Sequence, residues 1–294
     1  MPSLKDIRKR IASVKNTQKI TSAMKMVSAA KLRRAQEAAE KARPYAHRMN
    51  AVIGGLARRV NPTSHPLLEE RQVQDKALLV VISSNRGLCG GYNANIFRAI
   101  ERFVRDREHA GISFRVVTVG RKASVYFRNH RIPIAEDFPD VIGEISYAKA
   151  KQIARHAVNG FIDGTYDNVY VVYNNFISAI NYNTTVDPLL PLTLEDIEGS
   201  ADADTEAFAE YVFEPNESTL LSQMLPAHIE IKILHALLEA EASEHGARMT
   251  AMDNATNNAV DMIDSLTLQY NRARQAYITK ELVEIVSGAE ALEG

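Results

Sequence analysis

A hydrophobic repeat at each end of the chain restricts the fold more than any other feature. Alternate steps of three and four residues visit Leu4, Ile7, Ile11, Val14, Gln18, Thr21, Lys25, Ser28, Leu32, Ala35, Ala39, Ala42, Ala46, Met49, Ile53 and Leu56 without a break in phase. Twelve of these sixteen positions are apolar, the pattern of a two-stranded coiled-coil seam. The four polar positions are consecutive, Gln18 to Ser28. Beside them Ile20, Ala23, Met24, Val27 and Ala30 form a second apolar stripe, which predicts a second neighbour. Pro44 predicts a kink or local break. At the other end no proline occurs between Ala227 and Gly294. There Leu238, Ala242, His245, Met249, Met252, Thr256, Ala259, Ile263, Leu266, Tyr270, Ala273 and Tyr277 keep the same alternation. The pattern then slips by one residue to Ile278, Leu282, Ile285, Ala289 and Leu292. A helix of that size would reach roughly 100 Å, more than a compact domain can bury. Two such helices at opposite ends of one chain are expected to wrap around each other antiparallel, with the middle standing as a separate domain.

The middle alternates strand and helix. Ala77–Ile82 and Phe114–Val119 are buried-strand runs separated by a helical pattern over Ala94–Glu108. "IPIAEDF" suggests a short third strand; a helix over Tyr147–Ile162 leads to a strand over Asn168–Asn174 and a further run, Ile177–Val186, that can pair beside it. Strands joined by helices predict a mostly parallel sheet. The expected class is therefore α/β plus long α: an antiparallel coiled coil of the terminal helices with an inserted Rossmann-like α/β domain. The expected divisions are 1–60 for the first helix, 75–192 for the α/β domain, 193–226 for an acidic linker and the start of the C-terminal helical region, and 227–294 for the last helix.

Charge is distributed unevenly. Residues 1–60 carry 15 Lys/Arg against Asp6, Glu37 and Glu40, a local charge of +12, whereas His156–Ile231 contains no Lys or Arg and 13 Asp/Glu. Such asymmetry predicts surfaces with different partners. The basic helix has no aromatic residue between Met1 and Pro44 to stack on bases, so protein docking is favoured over nucleic acid. No run approaches the 18 or so apolar residues of a membrane span, so direct membrane insertion is not expected. The single cysteine, Cys89, allows no internal disulfide and suits a reducing compartment.

"SSNRGLCGGYNANIF" (83–97) follows the first strand and opens a helix, the arrangement that cradles phosphates. Yet the P-loop lysine is missing and the spacing is G-x-x-G-G rather than G-x-G-x-x-G. The glycines are better read as a tight turn with Asn93 as N-cap. Cys89 has no sequence-adjacent base to activate it. Glu241 and His245 lie one helical turn apart without a third ligand in sequence, so neither a metal nor any other cofactor is expected. Nothing in the chain reads as catalytic. The rival readings are a nucleotide-binding regulatory α/β protein with a coiled-coil arm, and a nucleic-acid-binding coiled coil.

The stretches "IRKRIASVKNTQKITSAMKMVSAAKLRRAQ" (7–36), "SSNRGLCGGYN" and "QYNRARQAYITKELVEIVSGA" (269–289) resemble the gamma subunit of the bacterial F-type ATP synthase, over essentially the whole chain. The resemblance implies a non-catalytic rotor. The terminal helices would form a bent central shaft whose C-terminal end lies in the sleeve of the alpha and beta ring. The other end, with the globular domain, would stand on the membrane c-ring beside epsilon. Proton flow would turn the shaft, driving each catalytic beta subunit through its binding states. The family's shaft-to-ring contacts match Arg274, Gln275 and Arg248, with Met24 near the same beta lever. Ile278, Leu282 and Ile285 would form the axial tip, and Tyr211 and Glu214 would face the c-ring or epsilon. The implied location is peripheral, on the cytoplasmic face of a bacterial membrane. The cysteine-bearing insertion of the chloroplast form is lacking, so thiol switching is not expected. A start almost at the shaft helix argues against a mitochondrial precursor.

Overall fold

A computed structural model describes residues 3–57, 65–108, 111–130, 132–193 and 216–293. In order these form α1 (Leu4–Ala57), β1 (Lys76–Ile82), α2 (Tyr92–Glu108), β2 (Ser113–Val119), α3 (Arg121–Asn129), β3 (Ile134–Phe138), α4 (Tyr147–Ile162), β4 (Asn168–Phe176), β5 (Tyr182–Leu190) and α5 (Glu217–Glu293). Chain contacts divide them into two compact units, Ala29–Arg248 and Met1–Ser28 with Met249–Gly294.

The larger unit is built on a five-stranded sheet of order β3-β2-β1-β4-β5. Neighbouring strands run parallel except β4 and β5, which pair antiparallel. β1 occupies the centre, so six of its seven residues are buried. Its near-continuous apolar run reflects burial on both faces. Leu78, Val80 and Ile82 face one core with Ile153, Ala157 and Phe161 of α4, Ile53 and Leu56 of α1, and Leu225, Ile229 and Leu237 of α5. Leu79 and Val81 face a second core with Tyr92, Ile96 and Ile100 of α2 and Phe127 of α3. Each fully buried large side chain contributes about 1.5–3 kcal/mol.

Several boundaries differ from the sequence reading. Pro44 does not interrupt α1, which is helical on both sides of it. α5 begins at Glu217, within the 193–226 segment expected to hold the start of the C-terminal helical region, and carries Pro226 inside it. The cause is a local cap: the Asn216 side chain accepts from the Thr219 backbone N–H at 2.8 Å. The paired strand after β4 starts at Tyr182, because Ile177 and Ser178 turn back onto Asn181 through backbone hydrogen bonds. α3 is absent from the sequence reading; Gly120 admits it by taking φ +92 at the end of β2. The expected acidic linker, Glu195–Glu206, lies outside the described residues.

The smaller unit pairs the start of α1 with the end of α5. Arg8 Nη2 donates to Tyr270 Oη at 2.8 Å, the Thr21 and Thr256 hydroxyls lie 2.7 Å apart, and Lys25 Nζ donates to Asp253 at 2.6 Å. Residue 8 thus meets 270, 21 meets 256 and 25 meets 253, each pair of numbers adding to 277 or 278. A constant sum is the signature of an antiparallel pair in one unbroken register.

Candidate functional site

The seam on α1 is occupied as its spacing predicts: all sixteen stepped positions from Leu4 to Leu56 are buried or half-buried. The second stripe behaves differently. Ile20 is 60% and Val27 57% exposed, Ala23 and Ala30 are exposed, and Met24 is half-buried. An apolar face left in water costs hydration free energy that a neighbour would recover. The polar seam positions are paired rather than wasted, Thr21 with Thr256 and Lys25 with Asp253. Both members of the ion pair are nearly half exposed, so it contributes at most about 1 kcal/mol.

Along α5 the covered seam ends at Ala273. In the register set by Tyr270, residue 274 lies level with Leu4, the first residue of α1. From Arg274 to Gly288 every side chain is exposed. Ile278, Leu282 and Ile285 are 47%, 57% and 64% accessible, and Val283 and Val286 stand open beside them. Arg274 and Gln275 occupy the first turn of this exposed segment. Met24 falls level with residue 254 in the same register, roughly 30 Å of helix away, so it is not brought together with them. Tyr211 and Glu214 lie outside the described residues.

Arg248 belongs to the larger unit and is 9% exposed. Its guanidinium sits 2.7 Å from Glu244 and donates to the backbone oxygens of Arg86 and Gly87 at 3.2 and 3.3 Å. Those carbonyls belong to the glycine loop, which leaves β1 where the strand order reverses between β1 and β4. In doubly wound sheets that crevice is where ligands bind. Here side chains of the same chain fill it. Tyr92 Oη donates to Ala240 O at 3.0 Å, Ser243 Oγ to Asn174 O at 2.9 Å, and the Phe176 N–H to Glu239 at 3.1 Å. A nucleotide in this position would have to displace α5. Two open depressions among the described residues lie at the opposite end of the parallel strands, about 310 Å³ beside Lys76, Ser113 and Arg115 and about 290 Å³ beside Asn168 and Leu190.

The loop's own geometry is local. Gly90 takes φ +58, a conformation glycine favours, and Leu88 takes φ +62 with its side chain exposed. Gly87 has no positive φ and open space where a Cβ would go. Asn93 is not the N-cap. α2 starts one residue earlier, and the Asn93 amide reaches back to the start of the loop just after β1, accepting from the Ser84 N–H at 3.1 Å and donating to Ser84 Oγ at 2.8 Å. Cys89 is buried and free; burial raises its pKa, against the pull of Arg248, and so disfavours the nucleophilic thiolate. Burial, then Arg248 and Lys31, lowers the His245 pKa to about 4. At pH 7 that ring is neutral, and its 3.9 Å approach to Glu241 is not an ion pair. Burial raises the Glu244 carboxyl and Arg248 opposes the shift. Among the described residues, no three His, Cys, Asp or Glu are placed to hold a metal ion. No described helix is long and apolar enough to cross a membrane.

Comparison with known proteins gives a single answer. A family model described as ATP synthase matches residues 3–292. The chain is 51% identical to the ATP synthase gamma chain of Geobacter metallireducens over 294 residues, and 50% identical to that of Geotalea daltonii, with full coverage of both chains in each case. Among solved structures it resembles a chain of the Tetrahymena thermophila mitochondrial ATP synthase central stalk and c-ring, with TM-score 0.60 and 26% identity, covering 80% of this chain and 99% of that one. It also resembles a chain of the Euglena gracilis mitochondrial ATP synthase assembly of OSCP, F1 and c-ring, with TM-score 0.64 and 21% identity, covering 98% of this chain and 94% of that one.

Proposed function

The chain belongs to the ATP synthase gamma family, and from that premise we propose that it is the central rotor shaft of a proton-translocating ATP synthase. It is not catalytic itself. It turns with the c-ring and carries torque to the catalytic beta subunits. The observation that carries this reading is the end of α5, where fifteen consecutive residues, Arg274–Gly288, have exposed side chains and five of them are Ile, Leu or Val. Such a segment suits enclosure in a sleeve of other subunits, which would recover about 25 cal/mol for each Å² of apolar surface covered.

In this reading Ile278, Leu282 and Ile285 form the axial tip. Arg274 and Gln275 make polar contacts with the surrounding alpha and beta ring. Met24, at the edge of the exposed stripe Ile20–Ala30, meets a beta lever. Arg248 is bonded inward, so a contact from it to the ring would require release from Glu244. Tyr211 and Glu214 are proposed to face the c-ring or epsilon. The domain division proposed is 1–60 and 227–294 for the two shaft helices, 75–192 for the inserted α/β domain, and 193–226 for an acidic linker and the start of the C-terminal helical region. The complex would hold the chain peripherally at the cytoplasmic face of a bacterial membrane.

Purification of the tagged chain from its own cells tests the reading. The expected result is stoichiometric recovery of alpha, beta and epsilon with ATP hydrolysis activity. A chain recovered without alpha and beta would overturn it. In the same complex, Arg274→Ala with Gln275→Ala is expected to slow ATP synthesis at least tenfold while the complex remains assembled.

A further inference from the structure

We propose that Arg248 is a positioning residue whose guanidinium clamps α5 to the glycine loop, so that the α/β body and the helix it carries move as one piece. Resting on the rotor reading for its functional consequence, the inference extends it to a residue that acts without touching nucleotide.

Three observations in the larger unit converge on this clamp. First, the sheet's switch-point crevice is spanned by α5 from one side to the other. Glu239 and Ser243 hold the β4 side through Phe176 and Asn174, Ala240 holds the start of α2 through Tyr92, and Arg248 holds the glycine loop after β1 through Arg86 and Gly87. Second, Arg248 is the one of these groups that carries a charge onto backbone carbonyls, and Glu244 at 2.7 Å fixes its orientation from one helical turn away. A fork of donors shared between a carboxylate and two carbonyls is the use for which arginine is better suited than lysine. Third, the helix is seated too closely for the contact to be incidental. A Cβ on Gly246 would come 3.0 Å from the backbone oxygen of Ala179 in the β4–β5 turn, so the helix surface and that turn are in close approach.

The glycine loop thereby acquires a different role from the phosphate cradle it resembles. Its Arg86 and Gly87 carbonyls accept the guanidinium from the helix, and Arg86 O is fixed from within the loop by the Ser84 hydroxyl, which donates to it at 2.7 Å. Torque applied to the α/β body reaches α5 through apolar packing and through these directional bonds. Apolar packing resists separation, but it is the directional bonds that resist sliding of the helix across the crevice. Removing them should leave the protein folded and the rotor compliant.

Cys89 lies in the same loop, 2% exposed, and it is the chain's single cysteine, so its reactivity reports whether the clamp is closed. Arg248→Met removes every donor while keeping an unbranched side chain. In the purified full chain, N-ethylmaleimide should modify Cys89 at least tenfold faster in R248M than in the parent, with R248K between the two. Rates are compared per thiolate from their pH profiles, since loss of the Arg248 charge raises the thiol pKa and by itself slows labelling. R248K also covers failure of R248M to fold, since it keeps the cation and loses the fork. In the assembled complex on inverted membrane vesicles, proton uptake per ATP hydrolysed should fall at least threefold in R248M, with partial recovery in R248K. Unchanged labelling in a folded R248M or R248K chain would overturn the clamp. Faster labelling with an undiminished proton-to-ATP ratio would overturn its part in torque while leaving the rotor reading intact. Failure of the parent complex to couple hydrolysis to proton uptake would instead overturn the rotor reading, with the labelling rates still deciding the clamp.

Discussion

Gly120 and Gly87 face very different demands although each follows a strand. Gly120 has φ +92, and a Cβ there would lie 2.3 Å from the Ser83 backbone oxygen. Its replacement by Ala is expected to cost about 2 kcal/mol or more, from strained backbone and from displacement of Ser83, read as a lower urea midpoint. Gly87→Ala should stay within about 0.5 kcal/mol of the parent, since nothing lies within 4 Å of the new Cβ. A large loss at Gly87 would show that the loop needs all its glycines. His245 sets a pH dependence. Its folded pKa of about 4 lies below the ordinary histidine value of 6.5, so as pH falls from 6.5 toward 4 the unfolded chain takes up a proton that the folded chain refuses. Stability from this group is therefore complete above pH 6.5 and declines toward pH 4, by about 2 kcal/mol between pH 7 and 5. Glu241 and Glu244, raised by burial, act in the opposite sense as pH falls through their folded values. Melting temperatures at pH 7 and pH 5 should consequently differ less in His245→Gln than in the parent.

At the level of elements, the seam was legible because a coiled coil needs the same spacing everywhere, and sixteen positions of α1 obey it. Its register was also present, in the polar residues. Thr256 is a hydroxyl residue within the second seam, and Thr21 is its counterpart in the polar stretch of the first; matching like with like places 21 against 256. The clamp was not legible. Arg248 lies at neither a stepped position nor a motif, and its carbonyl partners carry no side-chain signature at all. α3 escaped for a related reason: nine residues are too few for periodicity to separate a helix from a loop. The polar seam pairs contribute more to alignment than to stability. Replacing Thr21 and Thr256 together by Val should change the melting free energy by less than about 1 kcal/mol, because both partners of the contact disappear at once. Lys25→Met should cost less than about 1 kcal/mol for the exposure already noted. A loss of several kcal/mol in either variant would mean that the seam depends on these bonds for its stability.

For the molecule as a whole, what is exposed at the end of α5 matters as much as what is buried. Residues 278–288 cover nothing in this chain, so removing 278–294 should leave the urea unfolding midpoint of the α/β body unchanged and still reduce ATP synthesis by the assembled complex. A shift in that midpoint would mean that the tip helps to hold the fold. The register carries a further consequence, for synthesis rather than for rotation. The paired residues of the smaller unit are separated by 228, 235 and 262 positions along the chain. At about 5–20 residues per second the ribosome needs on the order of 10–50 s to make the second member of each pair. Throughout that time Ile7, Ile11 and Val14 leave the exit tunnel with no mate, while the sheet that follows them can already close. The protein's first-made helix is the last to be completed, and for that interval its bare apolar edge invites either a chaperone or another nascent copy.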